Sequence, residues 1–238
     1  SLAMKDRANS VSLSKADAAT GDFVAGATFT VTGRFSDSAD GSKTVSPVGG
    51  AVELRGLING EVYRVEETAA PAGYGRLDAP LYIRFDERGE RLVVVDKRGA
   101  ALSRAPEGWD VADGRAIVAN NVRNRLTFDK VEGGSGTGAV AGSALNGVAF
   151  ELSSGSDVVA TWARSDEGVV STTVASGYGE SGSGADAGWL VGLPAGTYRV
   201  HESVVPAGHV AVADFTVKID AEGVVTLGGA HEGVELDA

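Results

Sequence analysis

Short runs of alternating apolar and polar residues dominate this chain: TFTVTG at 28–33, LYIRF at 81–85, RLVVV at 91–95 and DFTVKID at 214–220. A strand turns successive side chains to opposite faces, so such runs predict half-buried strands. Gly, Asp, Asn and Pro bound the runs, and no long stretch keeps a 3.6-residue period between capping residues. The pattern predicts an all-β fold.

One phrase is written twice. Residues 63–74 read YRVEETAAPAGY and residues 198–209 read YRVHESVVPAGH. Tyr63, Val65 and Glu67 share a parity, as do Tyr198, Val200 and Glu202, so in each copy a carboxyl faces the apolar side. A buried carboxyl is unfavourable unless it is paired or neutralised. A lysine ends an alternating run in each half: Val11, Leu13, Lys15, then Leu126, Phe128, Lys130. Each lysine is followed by a Gly-x-x-Phe, Gly26 to Phe29 and Gly147 to Phe150. Lys15 to Phe29 spans 14 residues and Lys130 to Phe150 spans 20. The excess lies in the low-complexity stretch GGSGTGAVAGSA, and a second insertion, SGYGESGSGADAG, precedes WLVGLPAGTYRV. Both have loop compositions that tolerate insertion. Two homologous domains are therefore expected, 1–122 and 123–238, joined by a few residues near Val122 to Arg125.

The first half ends in AIVANNVRN, where Ile117, Ala119 and Asn121 share a parity. Asn120 is the alternative amide, with the opposite parity, and Glu66 beside Glu67 is expected to face solvent. A lysine, a glutamate and an asparagine converging in an apolar core suggest chemistry; a buried salt bridge or a lysine reaching to the surface is the plainer account. Desolvation lowers the pKa of Lys and raises that of Glu, and an uncharged lysine amine is a nucleophile. A protonated Glu67 hydrogen-bonded to the Asn121 carbonyl would polarise it and shuttle a proton to departing ammonia. The product is a Lys15–Asn121 isopeptide amide between the first and last strands.

Apolar residues make up 43% of the 238-residue chain, enough for two cores, while aromatics are only 6% and Gly numbers 34. The net charge of −11 argues against nucleic acid and against charge-driven binding to anionic lipid. Without Cys there is no disulfide or thiolate chemistry, and the three histidines, His201, His209 and His231, could form a metal cluster only by folding together. No cofactor and no metal is expected. No apolar run is long enough to span a membrane.

The stretches LSKADAATG, AGATF, YRVEETAAPAGY and IVANNVRN resemble the collagen-adhesin (Cna) B-type repeat of Gram-positive pilins and surface adhesins. The resemblance covers both halves and rests on a tyrosine–glutamate–proline–glycine–tyrosine box. It implies two tandem transthyretin-like (Ig-like) β-sandwich domains. It also implies an autocatalytic isopeptide bond in which Lys15 and Asn121 react with Glu67 assisting, and Lys130 and Glu202 occupy the matching positions. The expected function is a stalk or shaft region of a cell-wall-anchored, extracellular pilus subunit or adhesin, with signal and anchor outside these residues. Its partners would be other pilus or adhesin subunits and host matrix proteins or glycans. The self-reaction occurs once per molecule, so no enzyme is expected.

The second half departs from the box. His209 replaces the final tyrosine, and no asparagine stands where one is needed. In the tail HEGVELDA, Val234 and Leu236 are expected to point inward and Asp237 outward. Three readings stay open: the chain stops short of its last strand, which is favoured; the domain is unbridged; or Asp237 serves through a bulge. Two rival functions are weighed. A ligand-binding module would use the loop from Ser176 to Gly188 with Tyr178, Trp162 and Trp189. A hydrolase would use paired carboxylates such as Asp86-Glu87 or Asp166-Glu167, whose turn-like settings point instead to solvated loops.

Overall fold

The computed structural model describes residues 9–112, 114–133, 142–229, 233, 234 and 236. The chain divides into two compact units, Ser1–Pro71 with Arg76–Val122, and Ala72–Gly75 with Arg123–Ala238. The four-residue Ala72–Gly75 turn of the first box thus groups with the second unit. Among the described residues strands carry nearly all the regular structure, and a single 3-10 turn covers Gly184–Asp186. Two tandem β-sandwiches result: the alternation predicts the strands, the repeated box the two units, and the family resemblance the sandwich.

In the first unit the strands are β1 (Ser10–Asp17), β2 (Thr28–Thr32), β3 (Ser42–Val45), β4 (Ala51–Arg55), β5 (Tyr63–Ala69), β6 (Leu81–Phe85), β7 (Leu92–Val94), β8 (Trp109–Ala112) and β9 (Ala116–Asn121). One sheet runs β4-β1-β9-β8 and the other β3-β2-β5-β6-β7. Their inner faces supply Val11, Leu13, Ile117 and Ala119 from one side and Phe29, Val31, Val65, Leu81 and Ile83 from the other, all at most 1% exposed. The first and last strands, β1 and β9, are parallel neighbours in register Leu13↔Ile117, Lys15↔Ala119 and Asp17↔Asn121. Only the tertiary fold could bring these two ends side by side.

The second unit contains β10 (Arg125–Leu126), β11 (Val148–Ser154), β12 (Asp157–Arg164), β13 (Val170–Val174), β14 (Glu180–Ser181), β15 (Leu190–Val191), β16 (Gly196–Val204), β17 (Phe215–Ile219) and β18 (Val225–Gly228). A six-stranded sheet runs β13-β12-β11-β16-β17-β18, and a three-stranded one runs β10-β15-β14 with β10 at its edge. Val234 packs against this core, but Leu236 is 45% exposed, which corrects the expectation that both point inward. The chain turns at Gly233 (φ 77°) instead of running as a strand, so alternation does not govern this stretch.

Two motifs that the halves share prove to be cross-strand partners. Phe29 pairs with Glu67, and Phe150 pairs with Glu202. In both units the register slips just before the phenylalanine, between Thr28 and Phe29 and between Ala149 and Phe150. Such a bulge re-aims side chains and increases the local twist. The box tyrosines also serve alike. Tyr63 donates to the Arg34 carbonyl and accepts from the Ile58 N–H at 2.8 Å, while Tyr198 donates to the Pro194 carbonyl at 2.7 Å.

Gly33 lies against the buried Tyr63 ring, where an added Cβ would stand 2.5 Å from Cδ1 at a backbone φ of +157°. Gly33→Ala is therefore expected to destabilise the first unit by about 2 kcal/mol. Urea unfolding checks this: the midpoint should fall with the slope unchanged.

Candidate functional site

β1 contributes four inward residues, Val11, Leu13, Lys15 and Asp17, at 0%, 0%, 1% and 3% exposure. The alternation that buries two aliphatic residues thus also buries an ammonium and a carboxylate. Lys15, Ala119 and Trp109 lie in one register row across β1, β9 and β8. Phe29 and Glu67 form a cross-strand pair in the other sheet, and the Phe29 and Trp109 rings meet at 6.0 Å. The ionisable groups are therefore enclosed by aromatic and aliphatic surface.

Glu67 Oε2 is the focus of the site. It accepts from the Asn121 amide nitrogen at 2.6 Å and from the Leu77 N–H at 2.9 Å. Glu67 is 1% exposed and Asn121 0%. The contact expected from sequence was to the asparagine carbonyl; the structure places the amide nitrogen there instead. Asn121 Oδ1 and Glu67 Oε1 are buried without a hydrogen-bond partner among the described residues. Lys15 Nζ donates to the Ala16 carbonyl at 2.9 Å.

Burial pulls the Lys15 ammonium down from 10.5 to about 8, against the opposing attraction of Glu67 and Asp17. Burial likewise pushes Glu67 above the ordinary carboxylate range, opposed by the Leu77 N–H, the Asn121 amide and the charges of Lys15 and Arg76. The two groups are thus drawn toward neutrality together. A neutral amine beside a neutral carboxyl is the state in which acyl transfer to lysine is feasible.

The other expected residues separate cleanly. Asn120 points to the outer face, where its amide donates to Asp110 at 2.9 Å, so it does not join the site. Glu66 pairs outside with Arg64. In the second unit Lys130 Nζ lies 3.1 Å from Glu202 Oε2, with side-chain exposures of 13% and 0%. Glu202 Oε2 also accepts from the Val212 N–H at 2.8 Å, as Glu67 does from Leu77, ten residues on in both copies. The place taken by the Asn121 amide in the first unit is taken here by the unit's own lysine. Asp237 and His231 lie outside the described residues.

Asp17 and Asn124 are buried polar residues that the pattern did not single out. Asn124 donates to the Leu193 carbonyl at 2.7 Å, a structural tie. Asp17 was legible by parity with Lys15, but Asp in a turn-like sequence reads as a turn. For the binding loop, Trp162 is 1% exposed inside the core, Tyr178 packs against that core, and Trp189 is half-buried. The acidic pairs of the hydrolase reading sit at turns: Asp86 accepts the Glu90 N–H at 2.8 Å, and the Asp166 carbonyl accepts from Asn146. Among the described residues no group of three or more His, Asp or Glu is placed to hold a metal.

The Lys130–Glu202 pair is testable by a double-mutant cycle. Lys130→Met alone leaves a buried carboxylate and is expected to cost about 3 kcal/mol. The Lys130→Met/Glu202→Met double variant is expected to cost less than the sum of the two single changes, by more than about 1 kcal/mol. Denaturant unfolding of the four proteins checks it.

A search of curated proteins returns no match. Several solved structures are similar. The Bacillus anthracis TIE protein is 19% identical over 90% of this chain, with a TM-score of 0.38. This chain covers 31% of that protein, about a third of its length. A C-terminal fragment of the pilus adhesin SpaC from Lactobacillus rhamnosus GG is 16% identical over 94% of this chain and 87% of its own, with a TM-score of 0.41. The shaft pilin SpaA of the same organism is 19% identical over 90% of this chain and 94% of its own, with a TM-score of 0.32. The family described as SpaA, prealbumin-like fold domain, matches residues 9–98 and 134–231, one segment in each half. Covering most of the sequence, these two matches place the chain in the SpaA prealbumin-like fold domain family.

Proposed function

We propose that this chain is a pair of structural domains, 1–122 and 123–238, from the stalk or shaft of a Gram-positive pilus subunit or cell-surface adhesin. Its first domain is closed by an intramolecular Lys15–Asn121 isopeptide bond. The observation that carries this reading is the buried contact of Glu67 with Asn121 beside Lys15, on neighbouring first and last strands. Family membership and the pilin and adhesin likenesses agree with it. The natural setting is extracellular and attached to the cell wall, with other subunits as partners.

The reaction follows from the side chains. The neutral Lys15 amine adds to Cγ of Asn121. The bond from Cγ to Nδ2 breaks, and Nδ2 leaves as ammonia, carrying a proton that passes from Nζ through Glu67. Amine plus carboxamide yields one secondary amide and one ammonia, with no other reactant. Glu67 Oε2 already touches the nitrogen that departs. Rotation of the Asn121 amide would instead set its carbonyl against Glu67, which requires the carboxyl to hold a proton, the state that burial favours. Each event occurs once per chain, so the domain is not an enzyme.

The bond suits a load-bearing role. Tension entering at the start of β1 and leaving after β9 would pass from Lys15 directly to Asn121, sparing everything between them. Closing a loop of about a hundred residues would also stabilise the domain, by about 4–5 kcal/mol if disulfide loop entropy is a guide. The second domain, with Glu202 held by Lys130, is expected to remain unbridged unless an acceptor lies outside the described residues.

Intact mass spectrometry tests the assignment. The wild type should be lighter than its sequence by one ammonia, while Lys15→Ala, Glu67→Ala and Asn121→Ala keep full mass. A wild type at full mass overturns the crosslink. A second test is thermodynamic. In Asn121→Ala the amine stays free, and the folded lysine releases its proton near 8 while the unfolded one holds it to about 10.5. The unfolded chain then binds more protons across that window, so stability should rise with pH there. The rise should vanish in Lys15→Met/Asn121→Ala, as read by urea midpoints.

A further inference from the structure

Asp17 is a second buried carboxylate on the Lys15 strand, facing the same interior at 3% exposure. Its Oδ1 accepts from the Ala19 N–H at 2.8 Å and the Thr20 N–H at 3.2 Å. Its carbonyl accepts from the Gly21 N–H at 2.8 Å, closing a turn in which Gly21 takes a φ of +76°. This turn sets the end of β1 against the end of β9. Asp17 is the register partner of Asn121, and the next N–H, that of Ala18, donates to the Asn121 carbonyl at 2.9 Å. The backbone of the reacting asparagine is thus held by the turn that Asp17 builds. The charge of Asp17 also stabilises the Lys15 ammonium, opposing the loss of its proton.

We infer that Asp17 is a positioning residue of the crosslinking step, whose carboxylate builds the turn that seats Asn121 and places a negative charge on the strand of the Lys15 amine. This rests on the crosslink proposed above. One side chain would thus hold two separable controls. Its oxygen as a hydrogen-bond acceptor fixes geometry, and its negative charge fixes protonation. The other charged groups around the amine are Glu67 from β5, which attracts it directly, and Arg76, whose charge bears on Glu67. From β9 the inward groups are Ala119 and the neutral Asn121, and from β8 Trp109. On β4, Glu53 pairs with Arg55 on the outer face. Among the described residues Glu67 and Asp17 are negative charges that act on the amine, and Asp17 lies on the lysine's own strand.

Asp17→Asn separates the controls, since its carbonyl can still accept both turn N–H groups while the charge is gone. Asp17→Ala removes both. Full-length chains recovered unfolded and unreacted would be refolded at a series of pH values, quenched, and followed by intact mass for loss of ammonia. In Asp17→Asn the midpoint of the pH–rate profile should move down by about one unit, raising the rate below the midpoint about tenfold over wild type. In Asp17→Ala the limiting rate at high pH should fall about tenfold below Asp17→Asn, because the asparagine is no longer held for attack. A wild-type midpoint retained in Asp17→Asn overturns the charge assignment. Equal limiting rates in the two variants overturn the seating assignment. If Asp17→Ala does not fold, the Asp17→Asn profile alone decides the charge assignment. A wild type that loses no ammonia at any pH overturns the crosslink itself, an outcome distinct from both.

Discussion

A carboxylate held away from water organises the first domain. Glu67 is buried because β5 alternates, and a buried carboxylate must find donors or a proton. It finds the N–H of Leu77 in the following loop, the amide of Asn121 on the last strand, and the charge of Lys15 on the first. Three segments of the chain converge on one carboxyl group, two of them on a single oxygen. The bulge beside Phe29 belongs to the same arrangement, because it sets the phenylalanine across from the glutamate and walls the site with its ring. Remove the carboxylate, and the lysine and the asparagine lose their reason to share a chamber.

The second domain repeats this frame with a different occupant. The bulge, the phenylalanine opposite the glutamate and the backbone donor ten residues on all recur. What differs is the third group. Here Lys130 itself lies against Glu202, and the pair is an ordinary, largely buried ion pair. With an amide in contact with the carboxyl, burial draws both Lys15 and Glu67 toward their neutral forms; in the second domain the lysine itself makes that contact. A box of the same plan thus holds an asparagine amide against its carboxyl in one domain and a lysine in the other.

Parallel pairing of the terminal strands bears on how the first domain would carry load. β1 and β9 run side by side in the same direction, so force applied at the two ends loads their ladder in shear across many hydrogen bonds together. Lys15 lies near the close of β1 and Asn121 at the close of β9, and the Asp17 turn follows at once. Lys15 and Asn121 thus stand at the same end of the ladder, where the chain leaves the domain, and the proposed covalent bond there would carry tension from β1 directly to β9.

Much of this was legible in the sequence. Alternation by itself determined that the chain is all-β, that Lys15, Glu67 and Asn121 face inward and that Asn120 and Glu66 do not, because a strand's two faces follow from parity alone. The repeated box determined that there are two such units. Parity is blind to distance and to partners, however. It could not say that the first strand lies parallel to the last, that Glu67 meets the asparagine nitrogen and not its oxygen, or that Lys130 closes directly on Glu202. It misplaced Leu236, where the chain turns and alternation ceases to apply. It passed over Asp17, whose turn-forming character hid a buried charge, and the backbone donors of Leu77 and Val212, which no side chain advertises. These were decided only by tertiary structure. Long-range register and the desolvation of a shared interior come from how two sheets pack, and no local pattern encodes either.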